Sequence, residues 1–94
     1  MANLTSIVSA DPSRDEQEAL ELQRRIGGNV RHWRMQRAMT PEELASHIGK
    51  PVAAINEIEA GEAMASVEFL WRAGRVLKVS CLAFTDSQQR RSAA

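Results

Sequence analysis

Apolar residues recur at helical spacing through the first half of the chain. The stripe is formed by Ala19, Leu22, Ile26, Val30 and Trp33, three or four residues apart, which is the period of one helical face. Pro12 and a Ser13–Glu16 capping box are typical of a helix start. The pattern predicts a helix over about 13–36. It either kinks or divides at Gly27–Gly28, because each glycine costs a helix about 1 kcal/mol relative to alanine.

Shorter helices are predicted after residue 39. Thr40, Pro41 and Glu43 form an N-terminal capping signature, and Gly49 is a terminator. A second short helix follows over 51–60 and ends at Gly61. A third begins after Ser66, with an inner stripe of Val67, Leu70, Gly74 and Leu77. A last helical turn, "SCLAFT", is expected to point Leu82 inward. No segment has the alternation of a strand, so the chain is predicted to be all-α.

Composition narrows the class of protein. The 94 residues fit one domain, and the formal net charge is zero. A single cysteine, Cys81, cannot form a disulfide framework. No apolar run is long enough for a membrane span and no signal peptide is recognisable, so we expect a cytoplasmic protein without membrane contact. No arrangement of catalytic or metal-binding residues stands out, and we expect neither an enzyme nor a metal or other cofactor.

Charge is distributed in blocks of alternating sign. Residues 1–23 carry five acids and one arginine, whereas 24–37 carry five arginines and no acid. Residues 38–69 carry six glutamates against Lys50, and 70–94 carry five bases against Asp86. Such blocks predict faces of opposite sign.

Two short helices joined by a glycine turn are the outline of a helix-turn-helix. Ala45 is small enough for a close crossing, and Gly49 permits the positive φ of a sharp turn. Ile55 and Ile58 would anchor the second helix on the core. The opposite face would then be able to enter a DNA major groove; its residues are Val52, Ala53, Asn56, Glu57 and Ala60.

Residues 26–84 resemble the Xre family of phage-repressor-type helix-turn-helix domains. "EELASHIG", "AINEIEAG" and "VEFLWRAGRVLKVS" have the family's spacing. The resemblance implies five helices over 26–84. Outside this domain, the residues themselves predict a disordered N-terminus (1–12), a helical extension (13–25) and a flexible tail (85–94). The resemblance also implies a buried ion pair between Arg34 and Glu59.

The predicted reading helix departs from the family's usual residues. Pro41 stands where the family favours a phosphate-binding Gln, although Thr40 and the helix N-terminus could substitute. Val52 and Ala53 can contact a thymine methyl group, and Glu57 can accept from cytosine N4. Because phosphate neutralisation dominates DNA affinity, further contacts are expected from Arg31, Arg37 and Lys50.

Two functions fit these features. The first is a sequence-specific DNA-binding regulator, a dimeric repressor that reads a palindrome in double-stranded DNA through the helix over 51–60. The alternative is a protein-interaction module of the same fold that modulates another regulator or a toxin. A homodimer is also expected, because Phe69, Trp71, Val76 and the Ala19–Leu22 segment would expose more apolar surface than a small monomer usually does. The two-fold contact would involve the last helix and the N-terminal extension.

Overall fold

A computed structural model describes residues 12–87 of the chain. These residues form four α-helices and a 3-10 turn: α1 (Pro12–Gln36), α2 (Pro41–Ile48), α3 (Val52–Glu59), α4 (Val67–Leu77) and the turn Cys81–Thr85. Within this part of the chain there is no strand, as expected. Residues 1–11 of the predicted disordered N-terminus and 88–94 of the predicted tail lie outside the described residues, whereas Pro12 begins α1 and Thr85 ends the 3-10 turn.

The prediction of a fifth α-helix is not confirmed. Lys78 adopts a left-handed conformation (φ 60°) that ends α4. The next five residues form a 3-10 turn with short-range bonds, such as the one from the Ala83 amide to the Ser80 carbonyl at 2.9 Å. So short a segment favours i→i+3 bonds, because it cannot complete two turns of α-helix.

Helix α1 runs without a break through Gly27 and Gly28. The first glycine is required by tertiary packing rather than by a turn. A Cβ atom on Gly27 would lie 2.0 Å from the carbonyl oxygen of Ile58, at the end of α3. The two helices therefore approach each other at a point where no side chain fits.

The core lies where the C-terminal half of α1 meets the other elements. Its completely buried members come from all five elements: Val30, Leu44, Ile55, Ala73, Leu77 and Phe84. Asn29 is also fully buried, and its side-chain amide donates to the carbonyls of Phe84 (2.6 Å) and Asp86 (2.7 Å). These two bonds attach the 3-10 turn to α1.

The predicted burial of three residues is wrong: Val67 and Leu82 were expected to point inward and Phe69 outward. Val67 is 82% exposed, because as the first residue of α4 it lies beyond the edge of the core. Phe69 is only 3% exposed, since it shares a four-residue spacing with Ala73 and Leu77 and packs with them. In the 3-10 turn Phe84 enters the core, and Leu82 is 70% exposed.

The N-terminal half of α1 projects from this core. Every residue from 13 to 22 is exposed, including Leu20 and Leu22. We call residues 12–23 the arm. At its end, Gln23 donates from Nε2 to the carbonyl of Gly61 at 2.7 Å. Over residues 12–87, no helix is both long enough and apolar enough to cross a membrane.

Candidate nucleic-acid interface

Helix α2 begins with a complete capping box. The Thr40 hydroxyl accepts from the Glu43 amide at 3.0 Å, and the Glu43 carboxylate accepts from the Thr40 amide at 2.8 Å. The hydrogen bond that the Thr40 amide donates to the Glu43 carboxylate lowers the pKa of that carboxyl group, and the Thr40 side chain lowers it further. The box fixes where α2 starts, which in turn fixes the position of the turn that follows.

A sharp turn connects α2 to α3. Gly49 ends α2 in the left-handed region, with φ 72° and ψ 37°, a conformation that costs a residue with a side chain about 1–2 kcal/mol. Pro51 is extended and precedes the first turn of α3. Helix α3 therefore spans Val52–Glu59, within one residue at each end of the bounds predicted for the reading helix.

The inner face of α3 is held by packing. Ile55 is fully buried, Ile58 nearly so, and both lie in the core cluster with Ala45 of α2. The close approach of Gly27 to Ile58 adds α1 to this contact. Helix α3 is thus seated against both α1 and α2, although it has only eight residues.

The end of α3 is fixed by an ion pair with α1. Arg34 donates from Nε and Nη2 to the two carboxylate oxygens of Glu59, at 2.7 and 2.9 Å. Their side chains are only 10% and 8% exposed, and Arg34 also donates to the Met39 carbonyl at 2.7 Å. The hydrogen bond with Glu59 raises the pKa of the Arg34 guanidinium. The Glu59 carboxylate is therefore part of the scaffold and not of the outer surface.

The outer face of α3 is largely open. Ala53, Asn56 and Glu57 are exposed, as is Ala60 just beyond the helix. Val52 is half-buried and packs against the core cluster, so it offers less surface than expected. Among these residues, only Asn56 carries a hydrogen-bond donor on its side chain.

The predicted phosphate-binding residues have different environments. Arg31 is exposed on α1 and Lys50 is half-buried in the turn. Arg37 donates from Nε to the Leu77 carbonyl at 2.7 Å and lies over the Trp33 ring at 5.4 Å, so it braces α1 against α4. The Thr40 hydroxyl accepts within the capping box but retains a hydrogen to donate.

One basic residue beside α3 was missed by the sequence analysis. The side chain of Arg24 of α1 packs against Gly61, so that a Cβ atom added to Gly61 would lie 2.9 Å from the Arg24 Cγ atom. It shares a helical stripe with Gly27 and Arg31, because these residues are three and four apart. The three-residue spacing from Gly27 to Arg24 in the sequence could have identified Arg24 as a residue on the same face as Arg31.

Of the three α4 residues proposed for the dimer interface, only Trp71 is exposed. Trp71 is 52% exposed, with the Arg75 guanidinium 4.8 Å from its ring centre. Val76 is half-buried and packs against the core cluster, and Phe69 is buried within it. No group of three or more His, Cys, Asp or Glu side chains suited to a metal occurs among residues 12–87.

The chain belongs to the HTH_3 helix-turn-helix family, whose sequence pattern matches residues 30–84. It is also similar to the crystal structure of an HTH_3 family transcriptional regulator from Vibrio cholerae, with 25% identity and a TM-score of 0.65. The similarity covers 69% of this chain but only 36% of that regulator. A search of curated proteins gave no match.

Proposed function

We propose that this chain is a sequence-specific DNA-binding transcriptional regulator whose reading helix is α3. The observation that carries the proposal is the division of α3 into two faces. Ile55, Ile58 and Glu59 are taken up by the scaffold, whereas Ala53, Asn56 and Glu57 remain exposed on a rigid helix. A short, rigid helix with an open outer face is what a major groove accepts.

The proposed base contacts follow from the side chains of that face. Ala53, assisted by the exposed part of Val52, suits the methyl group of thymine. Asn56 can donate to and accept from adenine, and Glu57 can accept from cytosine N4. No arginine on this face is available for guanine, so we expect α3 to contact thymine, adenine and cytosine directly and to make no side-chain contact with guanine.

Phosphate contacts would come from the rim of the motif. Arg31 is exposed and makes no ion pair among the described residues, and Lys50 and Thr40 flank α2 and α3. Arg24, beside Gly61, is an additional candidate. Arg37 contributes mainly by bracing the fold, because its Nε is already bound to Leu77. Few phosphates are thus neutralised per copy, which favours binding as a dimer.

Dimeric binding implies a palindromic operator. Two copies related by a two-fold axis would place their α3 helices in major grooves about one helical turn apart. A small domain that occupies such a site competes with other proteins for it, which favours repression. Repression, the palindrome and the dimer are all parts of this proposal.

Selection of bound genomic fragments by the wild-type chain tests the proposal. We expect enrichment of an inverted repeat and an affinity that falls steeply as salt rises, with a slope set by the number of phosphates contacted. Glu57→Lys should raise affinity for all sequences and blur the preference, because it exchanges a carboxylate for a phosphate-binding ammonium group. Glu21→Lys, with the same charge change on the arm, is the matched control and should leave the preference unaltered.

The exposed acids favour a second candidate function, a protein-interaction module. Glu42, Glu57 and Glu62 are all exposed on or beside the motif, and they would repel phosphate. In this case the motif would bind a basic surface of another regulator or a toxin. The fragment selection would then enrich no sequence for the wild type, and a co-purifying protein would be retained by wild type but lost by Glu57→Lys.

A further inference from the structure

The arm and the outer surface of α4 are complementary in charge. The arm carries four acids (Asp15, Glu16, Glu18 and Glu21) against Arg14. Its one ion pair among the described residues joins Arg14 and Glu18 at 3.7 Å, with both side chains largely exposed, which makes it weak. Helix α4 presents Arg75, and Lys78 follows it as the C-cap; neither forms an ion pair within residues 12–87.

The outer stripe of α4 also has an apolar end. Val67, Trp71 and Arg75 follow one another at spacings of four residues, so they share a face of α4, and Lys78 follows as the left-handed C-cap of the helix. Val67 and Trp71 are exposed apolar residues in the N-terminal half of the stripe. Arg75 and Lys78 are exposed basic residues in the C-terminal half. We call these four residues the α4 stripe.

The arm has a matching stripe with the opposite polarity. Asp15, Glu18, Ala19 and Leu22 lie on one side of the helix, at spacings of three, one and three residues. The acids are in the N-terminal half and the apolar residues in the C-terminal half. Leu22 is 37% exposed and Ala19 is exposed as well.

An antiparallel arrangement places the acids of the arm against the basic end of the α4 stripe and the two apolar ends against each other. Arg75 is four residues beyond Trp71, and Glu18 is four residues before Leu22. At a rise of about 1.5 Å per residue, each interval spans about 6 Å. With Leu22 against Trp71, Glu18 therefore reaches Arg75, and Asp15 lies toward Lys78 at the end of α4.

The arm cannot make this contact with its own α4. Helix α1 is continuous, and its contacts with α4 come from its other end, where Arg37 donates to the Leu77 carbonyl. Fourteen residues of continuous helix, roughly 21 Å, separate Leu22 from the end of α1 at Gln36. An isolated helix as short as the arm is also marginal in water, so a partner would stabilise it.

We propose that the arm of one copy docks antiparallel on the α4 stripe of a second copy, and that the second arm does the same in return. The reciprocal contact closes a two-fold dimer and doubles the surface that one arm could bury. It specifies the dimer of the proposed function and rests on that function only for the presence of a second copy.

Charge reversal in solution, without DNA, tests the docking. Asp15→Lys with Glu18→Lys, or Arg75→Glu with Lys78→Glu, should each raise the dimer dissociation constant at least about tenfold, because like charges would then face each other. All four substitutions together should restore the wild-type constant to within about threefold, because the charges are exchanged but still complementary. Sedimentation equilibrium measures each constant, and circular dichroism checks that the variants keep their helices.

Glu16→Lys with Glu21→Lys is the matched control, since both acids lie off the arm stripe, and it should leave the constant unaltered. Each of three results would overturn the docking. Wild type could be a monomer at about 100 µM, the variant with all four substitutions could fail to restore the dimer weakened in the two double variants, or the control could weaken the dimer as much as they do. Because DNA is absent, these results do not depend on whether α3 reads bases. Conversely, a wild-type dimer that selects no DNA sequence would overturn the DNA-binding proposal alone.

Discussion

The two faces of α3 differ in what holds their residues in place. On the inner face, Ile55 and Ile58 are buried and Glu59 is bonded to Arg34 through two hydrogen bonds. On the outer face, Ala53, Asn56 and Glu57 are exposed. The inner face determines that the chain folds as a helix-turn-helix, and the outer face determines what it binds. Substitutions on the two faces should therefore separate stability from recognition.

The largest expected effect is on the inner face. Glu59→Ala leaves the Arg34 guanidinium buried without its carboxylate, which should lower the free energy of unfolding by about 3–5 kcal/mol. Urea denaturation measures this change. The control is Glu57→Ala, two residues away on the outer face, which should remain within about 0.5 kcal/mol of wild type. Equal losses from both substitutions would contradict the division into two faces.

The close approach of α1 to α3 is expected to be the next most sensitive contact. In Gly27→Ala the added methyl group would overlap the Ile58 carbonyl oxygen, so the helices must separate. We expect a loss of about 1–3 kcal/mol, typical of overpacking, despite the higher helix propensity of alanine. Glu21→Ala, at an exposed position of the same helix, serves as the control. A Gly27→Ala variant at least as stable as wild type would show that the two helices are not in contact at this point.

The turn between α2 and α3 should respond more weakly. Gly49→Ala meets no atom within 4 Å, but φ is 72°. Its cost is therefore conformational, about 1 kcal/mol, and thermal unfolding would reveal it. Gly49→Asn should lose less, because asparagine tolerates the left-handed region better. If alanine and asparagine were equally tolerated, the turn would not require a left-handed residue.

The smallest effect concerns the cap of α2 and depends on pH. Because the folded-state pKa of Glu43 is lowered, its ionised form stabilises the fold above the unfolded pKa of about 4.3. That contribution is lost as pH falls through the folded pKa. Wild type should therefore melt above Glu43→Gln at pH 7, with a difference that shrinks toward pH 3. Glu42→Gln, outside the capping box, should show no such convergence; a Glu43→Gln difference that stays constant with pH would contradict the assignment.

Local signals in the sequence predicted the motif well. The Thr40–Glu43 box, the Gly49 turn and the inward Ile55 and Ile58 all depend on residues close together in the chain, so spacing alone identifies them. The sequence did not predict which apolar residues at the start of α4 are buried. Val67 and Phe69 both fit an apolar helix, and only the position of the core's edge decides between them.

Features that join distant segments could not be read from spacing. Gly27 resembles a helix breaker until Ile58 is known to lie against it. Asn29 is a polar residue in an apolar stripe, and its purpose becomes clear only from the carbonyls of Phe84 and Asp86. Leu82 was expected to point inward, but it is exposed and Phe84 is buried instead, because the segment is a 3-10 turn, which repeats every three residues and not every 3.6.

Ala53→Arg is the decisive test of whether the outer face of α3 reads bases. Sequence selection with wild type and this variant should give the same inverted-repeat spacing. The variant should acquire guanine at one position of each half-site, where arginine can donate to O6 and N7, with discrimination of about 1–3 kcal/mol per half-site. Identical preferences for the two proteins, or none for either, would contradict the claim.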